Sequence, residues 1–492
     1  MLSRSLAKVS EPMPRPSEQC DVLIVGAGPA GLAAAHRLLH LTEQSVLLLE
    51  QGKSLSRRTC PQLTTDRCPP CRQCDFVSGV GGVAGIVGGS LCFFPAGERL
   101  AHHTGYACEA ANAAVIELIK EAEQCGMADD LRLRCGLPKH AQLRDVGAMH
   151  LKRYCAVPLL ADEMRPLMAG LISSVEDSGG RVITRASVTQ IMRSDPLAGF
   201  RVIYSHQGVP KAVIVRKAVL LCVGRSGASW LESTLESLGL PHGHANVDVG
   251  VRLEMPASLV QNIAGSLEDP KFKASFSDVE FRTLCWCRGG QMAVAHLDGV
   301  RMVDGHFGTG WTERTSVSLV GRLPVPARSN PVDFALSHFA CRNPREKGPF
   351  RQQLDLFLGR PRDTAPIPSP ECPPALNSIE YDVHHALSAT LREGIDTLLS
   401  LLNDESGGAI FSHPTGYVYA PVIDNFWRSV PLDEALMTDM PGVFIGGDLA
   451  GLGRGYVQAM FSGLVIAHAI AGVPLTSSVS RGVLAQAGVQ RS

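Results

Sequence analysis

The stretch Asp21-Val-Leu-Ile-Val-Gly-Ala-Gly-Pro-Ala-Gly-Leu-Ala-Ala-Ala-His-Arg-Leu-Leu39 runs on to Ser45-Val-Leu-Leu-Leu-Glu50. An unbroken run of branched apolar residues marks a buried parallel strand, and the alanine-rich segment after Pro29 has the composition of a helix packed closely on it. The unit expected is strand, glycine turn, helix, strand. Gly26 permits the turn, Gly28 lets backbone approach a pyrophosphate, and Gly31 removes the side chain that would hold helix and strand apart. Unpaired N–H groups at the helix start, with the helix dipole, favour a diphosphate there. Glu50 ends the second strand, where a carboxylate accepts from a ribose 2′-hydroxyl and repels a 2′-phosphate. The pattern is that of a dinucleotide site for NAD or FAD, with NADP disfavoured.

The 492 residues suffice for two or three packed domains, and 45% hydrophobic content for a sizeable core. With 46 basic against 47 acidic residues the formal net charge is −1, which gives no whole-molecule field for nucleic acid or an anionic membrane. No apolar run reaches the roughly 18 residues of a bilayer span. Residues 1–19, with Arg4, Lys8, Arg15 and several prolines, read as a mobile tail, and 476–492 as a second. No secretory h-region follows Met1, so the expected compartment is the cytoplasm and the expected state of the 15 cysteines is reduced.

After Glu50 comes Arg57-Arg-Thr-Cys60-Pro-Gln-Leu-Thr-Thr-Asp-Arg-Cys68-Pro-Pro-Cys71-Arg-Gln-Cys74, then the glycine run Ser78-Gly-Val-Gly-Gly-Val-Ala-Gly-Ile-Val-Gly-Gly-Ser90. So much glycine and proline implies backbone pressed against another surface, for which a cofactor ring is the obvious partner. Helical apolar spacing at 107–125 and 160–178 is followed by strands beginning at Arg181, Phe200 and Val213, a meander that returns to the parallel sheet. The domain expectations are nucleotide-binding segments at 20–106, 161–249 and 431–475, a helical insertion at 107–160 and a substrate domain at 250–430. Pro441-Gly-Val-Phe-Ile-Gly-Gly-Asp448, before the apolar segment from Tyr456, repeats the order strand, acid, glycine turn, helix.

On these residues the chain resembles flavoproteins of the glutathione reductase structural type. Gly26, Gly28, Gly31 and Glu50 match its ADP-binding element, Leu221-Cys-Val-Gly224 its mid-chain strand, and Gly447 with Asp448 its ribitol-binding element. More closely it resembles the FAD-utilizing dehydrogenase family, through Cys68-Pro-Pro-Cys-Arg-Gln-Cys74, Ser78-Gly-Val-Gly-Gly82, Gly224-Arg-Ser-Gly-Ala-Ser-Trp230, Val247-Asp-Val-Gly-Val-Arg-Leu-Glu254, and Cys285-Trp-Cys-Arg-Gly-Gly290 with Asp304-Gly-His306. The resemblance implies an α/β fold, a Rossmann-like FAD-binding domain of the glutathione reductase type with an inserted α+β substrate domain. It departs at Ile86-Val-Gly-Gly-Ser90 and at Gly447-Asp-Leu-Ala-Gly451, both expected at the flavin ring, so it carries no substrate with it.

What this implies is an FAD-dependent oxidoreductase acting on a small organic substrate. Asp448 is expected on the ribitol, Gly81 and Gly82 along the flavin, and Gly224 with Arg225 on cofactor or a carboxylate. The spacing of Cys60, Cys68, Cys71 and Cys74 suits an iron–sulfur cluster or zinc. Cys71 and Cys74 equally have the spacing of a redox dithiol, and inert thiols are the third reading. Cys285 and Cys287 are expected on one strand face. His306 is a candidate acid/base, with a structural role as its alternative. No second glycine-turn unit with its own acid appears, so electrons come from substrate, transiently docked NAD(P)H or an electron-carrier protein. The competing readings are a flavin-linked disulfide reductase, a flavin monooxygenase and, against the neutral charge, an RNA-modifying flavoprotein.

Overall fold

The computed structural model describes residues 14–65, 67–69, 71–122, 142–146, 149–194, 199–243, 246–263, 269–341, 348–360, 372 and 375–475. Strand β1 (Pro16–Val25) passes through the helix Pro29–Leu41 to β2 (Val46–Glu50), as the opening motif demands. Then come β3 (Gly89–Cys92), helices Glu98–His103 and Cys108–Ala122, and strands β4 (Gln142–Val146), β5 (Met149–Arg153) and β6 (Ala156–Leu159). After the helix Ala161–Asp177 follow β7 (Arg181–Thr184), β8 (Ala186–Ser194), β9 (Gly199–His206) and β10 (Val209–Leu221). The second half holds β11 (Asn246–Pro256), β12 (Lys271–Phe276), β13 (Val279–Arg288), β14 (Gln291–Leu297), β15 (Val300–His306) and β16 (Arg314–Pro324). It closes with β17 (Phe350–Gln353), β18 (Ile379–Glu380), β19 (Tyr417–Asp424), β20 (Val443–Ile445) and the helix Tyr456–Ala471.

Two sheets result. In the first, β7, β2, β1, β10 and β20 lie side by side, all parallel, and the long β10 continues past them to form the antiparallel meander β8-β9-β10. The second has nine strands in the order β18-β17-β19-β11-β16-β13-β12-β5-β4, with the hairpin β14–β15 beside it. Within the first sheet β2 and β20 are buried along their whole length, whereas the meander strand β8 mixes buried and exposed residues. Helix Pro29–Leu41 packs so closely on the C-terminal helix that a methyl on Gly463 would stand 2.2 Å from the Ala30 carbonyl oxygen.

The segment 107–160 is not a helical insertion throughout. It is helical over Cys108–Ala122, but β5 pairs with β12 and β4 with β5, so its second part extends the nine-stranded sheet, while β6 pairs with β3. The N-terminal tail is also shorter than expected. Pro16 and Glu18 pair with Ala212 and Val213, and the Glu18 carboxylate accepts from Tyr204 at 2.5 Å and meets Arg181 at 2.8 Å, which ties the segment down. The expected tails at 1–13 and 476–492 lie outside the described residues. Among the described residues, no helix is long and apolar enough to cross a membrane.

Candidate functional site

Three loops meet where the parallel strands end, the place at which open α/β sheets bind ligands. The first is the turn after β1. Gly26 has φ +102°, and a Cβ there would stand 2.5 Å from the Cys222 carbonyl oxygen. At Gly31 a Cβ would stand 2.0 Å from the Gly26 carbonyl oxygen, so both glycines are fixed by protein packing. Gly28 differs: its backbone is ordinarily extended (φ −80°) and no atom lies within 4 Å of its Cβ position. Gly28 thus opens onto free space at the first turn of the helix.

The second loop is the glycine run. Gly81 donates to the Ala27 carbonyl at 2.8 Å, and a Cβ on Gly82 would be 3.4 Å from Pro29, so the run lies along the phosphate turn. Glu50, buried, joins the two: its carboxylate accepts from the N–H groups of Ala27 (2.9 Å), Gly52 (2.8 Å) and Gly79 (3.0 Å). A carboxylate has about four acceptor positions, and three are used here. The third loop follows β20. Gly447 (φ +78°) packs near Ala30, and Asp448 accepts from Gly455 N–H at 3.4 Å, at the start of the C-terminal helix. Enclosure pushes the Asp448 carboxyl up, opposed by the neighbouring Arg225 guanidinium. Gly224, after β10, has no atom within 4 Å of its Cβ position.

The residues fit FAD. An open glycine turn at Gly28 and the carboxylates of Glu50 and Asp448 end or follow strands of one sheet, and the first turns of the helices at Pro29 and Tyr456 supply fixed positive partial charge.

Arg225 leads out of this site into a charged cavity. Its Nη2 donates to Asp304 at 2.7 Å, and Asp304 also accepts from Gly305 N–H. Arg252 lies 3.9 Å from the other Asp304 oxygen, and Arg454 pairs with Asp424. Burial alone would raise the Asp304 carboxyl, but Arg225, Arg252 and Arg454 outweigh it and hold the group well below the carboxylate range. Cys285 joins the cavity lining because a register shift between Leu284 and Cys287 breaks the expected alternation and turns Cys285 to φ +49°. Cys287 turns to Arg252, accepting from its Nη2 at 3.1 Å, and burial pushes its thiol up to about 12.

His306 ends β15 beside these groups, 4% exposed, its ring edge-on to Phe76 and neither ring nitrogen at hydrogen-bond geometry with a partner. Burial lowers its pKa to about 4, so near neutral pH it is an uncharged imidazole. Since the folded value lies below the unfolded one, the stability held by neutral His306 is complete above pH 6.5 and is lost as pH falls towards 4, by roughly 3 kcal/mol for a shift of this size. His306→Phe is expected to flatten that acid loss, read as denaturation midpoints between pH 7 and 4.5; an unchanged slope would show that another group carries it.

The cysteine loop is docked on the same hairpin. Gln62 donates to the Val294 carbonyl at 2.9 Å and accepts from Val294 N–H at 2.8 Å. Cys68 and Cys71 both turn towards the Pro69 carbonyl. Burial, with the neighbouring thiols, raises the pKa values of Cys60, Cys68 and Cys71, that of Cys68 to about 11. No three of the four sulfurs lie within 4.8 Å of one another, whereas a tetrahedral zinc–thiolate shell sets its sulfurs about 3.8 Å apart. As placed, the four sulfurs are neighbours without the convergence of a coordination shell. Among the described residues the group of ligand type that does converge is Glu232, Glu236 and His242, where Glu232 is already paired with Arg428 at 2.9 Å.

Arg225, His306, Asp448 and the cysteines are the expected site residues, whereas Arg58, Arg252, Asp304 and Arg454 have no expected role. Arg454 had a local signal, a lone cation in a glycine turn before an apolar helix. Arg58 had none, since it follows Arg57 and nothing in the sequence says which of the two is buried.

Residues 24–66 match the family model described as an NAD(P)-binding Rossmann-like domain. No curated protein matches the chain. Similar solved structures include CmlS, a flavin-dependent halogenase (13% identity, TM-score 0.43, covering 95% of this chain and 61% of that one). A geranylgeranyl bacteriochlorophyll reductase-like protein from Thermoplasma acidophilum has 12% identity and TM-score 0.39, covering 95% of this chain and 84% of that one. Aklavinone-11 hydroxylase in complex with FAD and aklavinone has 12% identity and TM-score 0.39, covering 92% and 62%. The chain thus spans about three fifths of the halogenase and of the hydroxylase.

Proposed function

We propose that the chain is an FAD-dependent oxidoreductase that holds its cofactor in a site of the glutathione reductase type and moves two electrons to or from a small organic substrate. The observation that carries this reading is the placing of the Gly28 turn, Glu50 and Asp448 at or just after the C-terminal ends of the parallel strands β1, β2 and β20 of one sheet, with β10 between β1 and β20. FAD, when bound, supplies the hydride chemistry, and the protein supplies position and field. Gly28 admits the diphosphate. Asp448 accepts from ribitol, and the N-terminus of the C-terminal helix sets positive partial charge beside the ring. Arg225 and Asp304 hold one another in place next to Asp448. Buried and uncharged, His306 acts near neutral pH as a hydrogen-bonding group or a base, and does not act as an imidazolium acid.

A second reading, a flavin-linked dithiol reductase, draws support from the docking of the cysteine loop on the hairpin that bears Asp304 and His306. Metal ligation by Cys60, Cys68, Cys71 and Cys74 requires those sulfurs to converge from their positions here. An anaerobic visible spectrum with flavin, iron and zinc quantified together tests all three: bound flavin supports the main reading, and flavin-free protein that also fails to take up FAD contradicts it. Thiol reactivity separates the roles of the loop. With Cys68 raised to about 11, alkylation at pH 7.5 is expected to be slow and to gain about tenfold per pH unit up to pH 10. Labelling blocked at every pH until a chelator is added would show metal ligation instead.

A further inference from the structure

Where the two sheets meet, charges of both signs are interleaved. Gly224 and Asp448 each stand three residues beyond the paired Leu221 and Ile445, so the turns after β10 and β20 leave the first sheet side by side. Arg225 opens one turn and Asp448 the other. From the far side come Arg252 on β11, Asp304 on β15 and Asp424 on β19, and Arg454 precedes the C-terminal helix. Three arginines thus meet three aspartates, packed around a space of about 10 Å³, room for about one water, with Asp448 beside Arg225.

Within this balanced set the two aspartates nearest Arg225 are held differently. Asp304 is bonded on both oxygens: Oδ2 accepts from Arg225 Nη2 at 2.7 Å and Oδ1 from Gly305 N–H at 2.9 Å, with Arg252 3.9 Å away. Arg252 is itself fixed by the Ser316 and Ser318 hydroxyls and the Cys285 carbonyl. Among the described residues Asp448 accepts a single long hydrogen bond, from Gly455 N–H at 3.4 Å, and Arg225 is bonded to Asp304 and to no other carboxylate. An enclosed carboxylate so weakly bonded stays charged only beside a cation. Enclosure raises the Asp448 carboxyl, and Arg225 opposes it. The other groups about this pair are Cys285 on β13, and Arg454 and Tyr456 after Asp448. Arg454 is taken by Asp424, and the helix Pro29–Leu41 brings only the Ala30 methyl near Gly447.

We propose that Arg225 and Asp304 are positioning residues of the cofactor site: bonded to Asp304, Arg225 stands close enough to Asp448 to keep it a carboxylate, yet leaves its oxygens open to accept from ribitol. Asp304 thereby ties the hairpin that bears His306 to cofactor affinity. The ribitol contact rests on the flavoenzyme reading; the division of Arg225 between Asp304 and Asp448 does not.

Carboxyl titration of the flavin-free full chain tests that division, read by NMR on protein with isotopically labelled aspartate carboxyls, the Asp448 signal being the one lost in Asp448→Asn. Arg225→Gln is expected to move the Asp448 titration up by about 1–3 pH units, the usual effect of losing a neighbouring cation. Asp304→Asn is expected to move it down, because the released guanidinium closes on Asp448. Arg225→Lys, which keeps the charge, is expected to stay near the parent. FAD titrated into the same proteins should bind about tenfold or more weakly to both Arg225→Gln and Asp304→Asn at pH 6.5, and recover with rising pH only in Arg225→Gln, where Asp448 regains its charge. Opposite titration shifts with the same loss of affinity are not what a merely structural role produces. An Asp448 titration unmoved in folded Arg225→Gln, or moved the same way by both substitutions, overturns the proposal; if Asp304→Asn does not fold, Arg225→Gln against Arg225→Lys decides it. The expected shifts in a protein that takes up no FAD would contradict the flavoenzyme reading alone, whereas FAD-binding protein without the shifts would contradict this proposal alone.

Discussion

Valine at Gly28 is expected to give a folded protein without flavin, whereas valine at Gly31 is expected to give a protein that does not fold. The two glycines stand three residues apart in one motif, but different things hold them. Gly28 has extended backbone that any residue adopts, and no protein atom lies within 4 Å of its Cβ position. A valine there meets only what approaches the helix from outside, so melting temperature should stay within a degree or two and FAD affinity should fall at least a hundredfold. At Gly31 even a methyl would be driven to 2.0 Å from the Gly26 carbonyl oxygen and 3.1 Å from the Ile24 side chain. Overpacking of that kind costs about 3 kcal/mol or more, with backbone and not a flexible side chain in the way. Circular dichroism melts and flavin-to-protein ratios of the two variants check this. Equal flavin occupancy in Gly28→Val and the parent would move the diphosphate elsewhere.

Arg58→Met is expected to lose both stability and flavin. The Arg58 guanidinium is buried at 4% exposure and donates to four backbone carbonyls, those of Asp75 (2.7 Å), Phe76 (3.3 Å), Val80 (2.8 Å) and Gly82. These carbonyls span the end of the cysteine loop and the start of the glycine run, so one side chain fixes the shape of both. Burial lowers its pKa to about 10, with Glu50 and Asp75 opposing, which still leaves it charged near neutral pH. Methionine fills much of the volume but leaves buried carbonyls unpaired, a loss of about 3–5 kcal/mol. Denaturant titration reads the stability. A variant with unchanged midpoint and full flavin would show that the loop is held by its glycines alone.

How much of this was legible follows from how local each feature is. The βαβ unit at Asp21–Glu50 is written in consecutive residues: apolar run, glycines at packing distance, an acid at a strand end. So are Asp448 and the meander into β10. The buried arginines are not, because what gives Arg252 and Asp304 a role is that β11 and β15 come together, a juxtaposition 52 residues apart in sequence. The expected helical insertion over 107–160 fails at its second part, where β5 and β6 find their partners β12 and β3 far away in sequence. The alternation that put Cys285 and Cys287 on one face failed at a register shift, which period-two reasoning does not see. The spacing of Cys60, Cys68, Cys71 and Cys74 is plain in the chain, yet spacing allows convergence without enforcing it.

The most direct test of the account is to extract and identify the small molecule held by the purified chain, and to titrate the stripped protein with FAD, FMN and NAD in parallel. The account predicts FAD, close to one per chain, rebinding to the stripped protein at least a hundredfold more tightly than FMN, which lacks the adenosine proposed to meet Glu50, and more tightly than NAD. Protein that carries no flavin, ignores FAD and binds NAD at this site would contradict it.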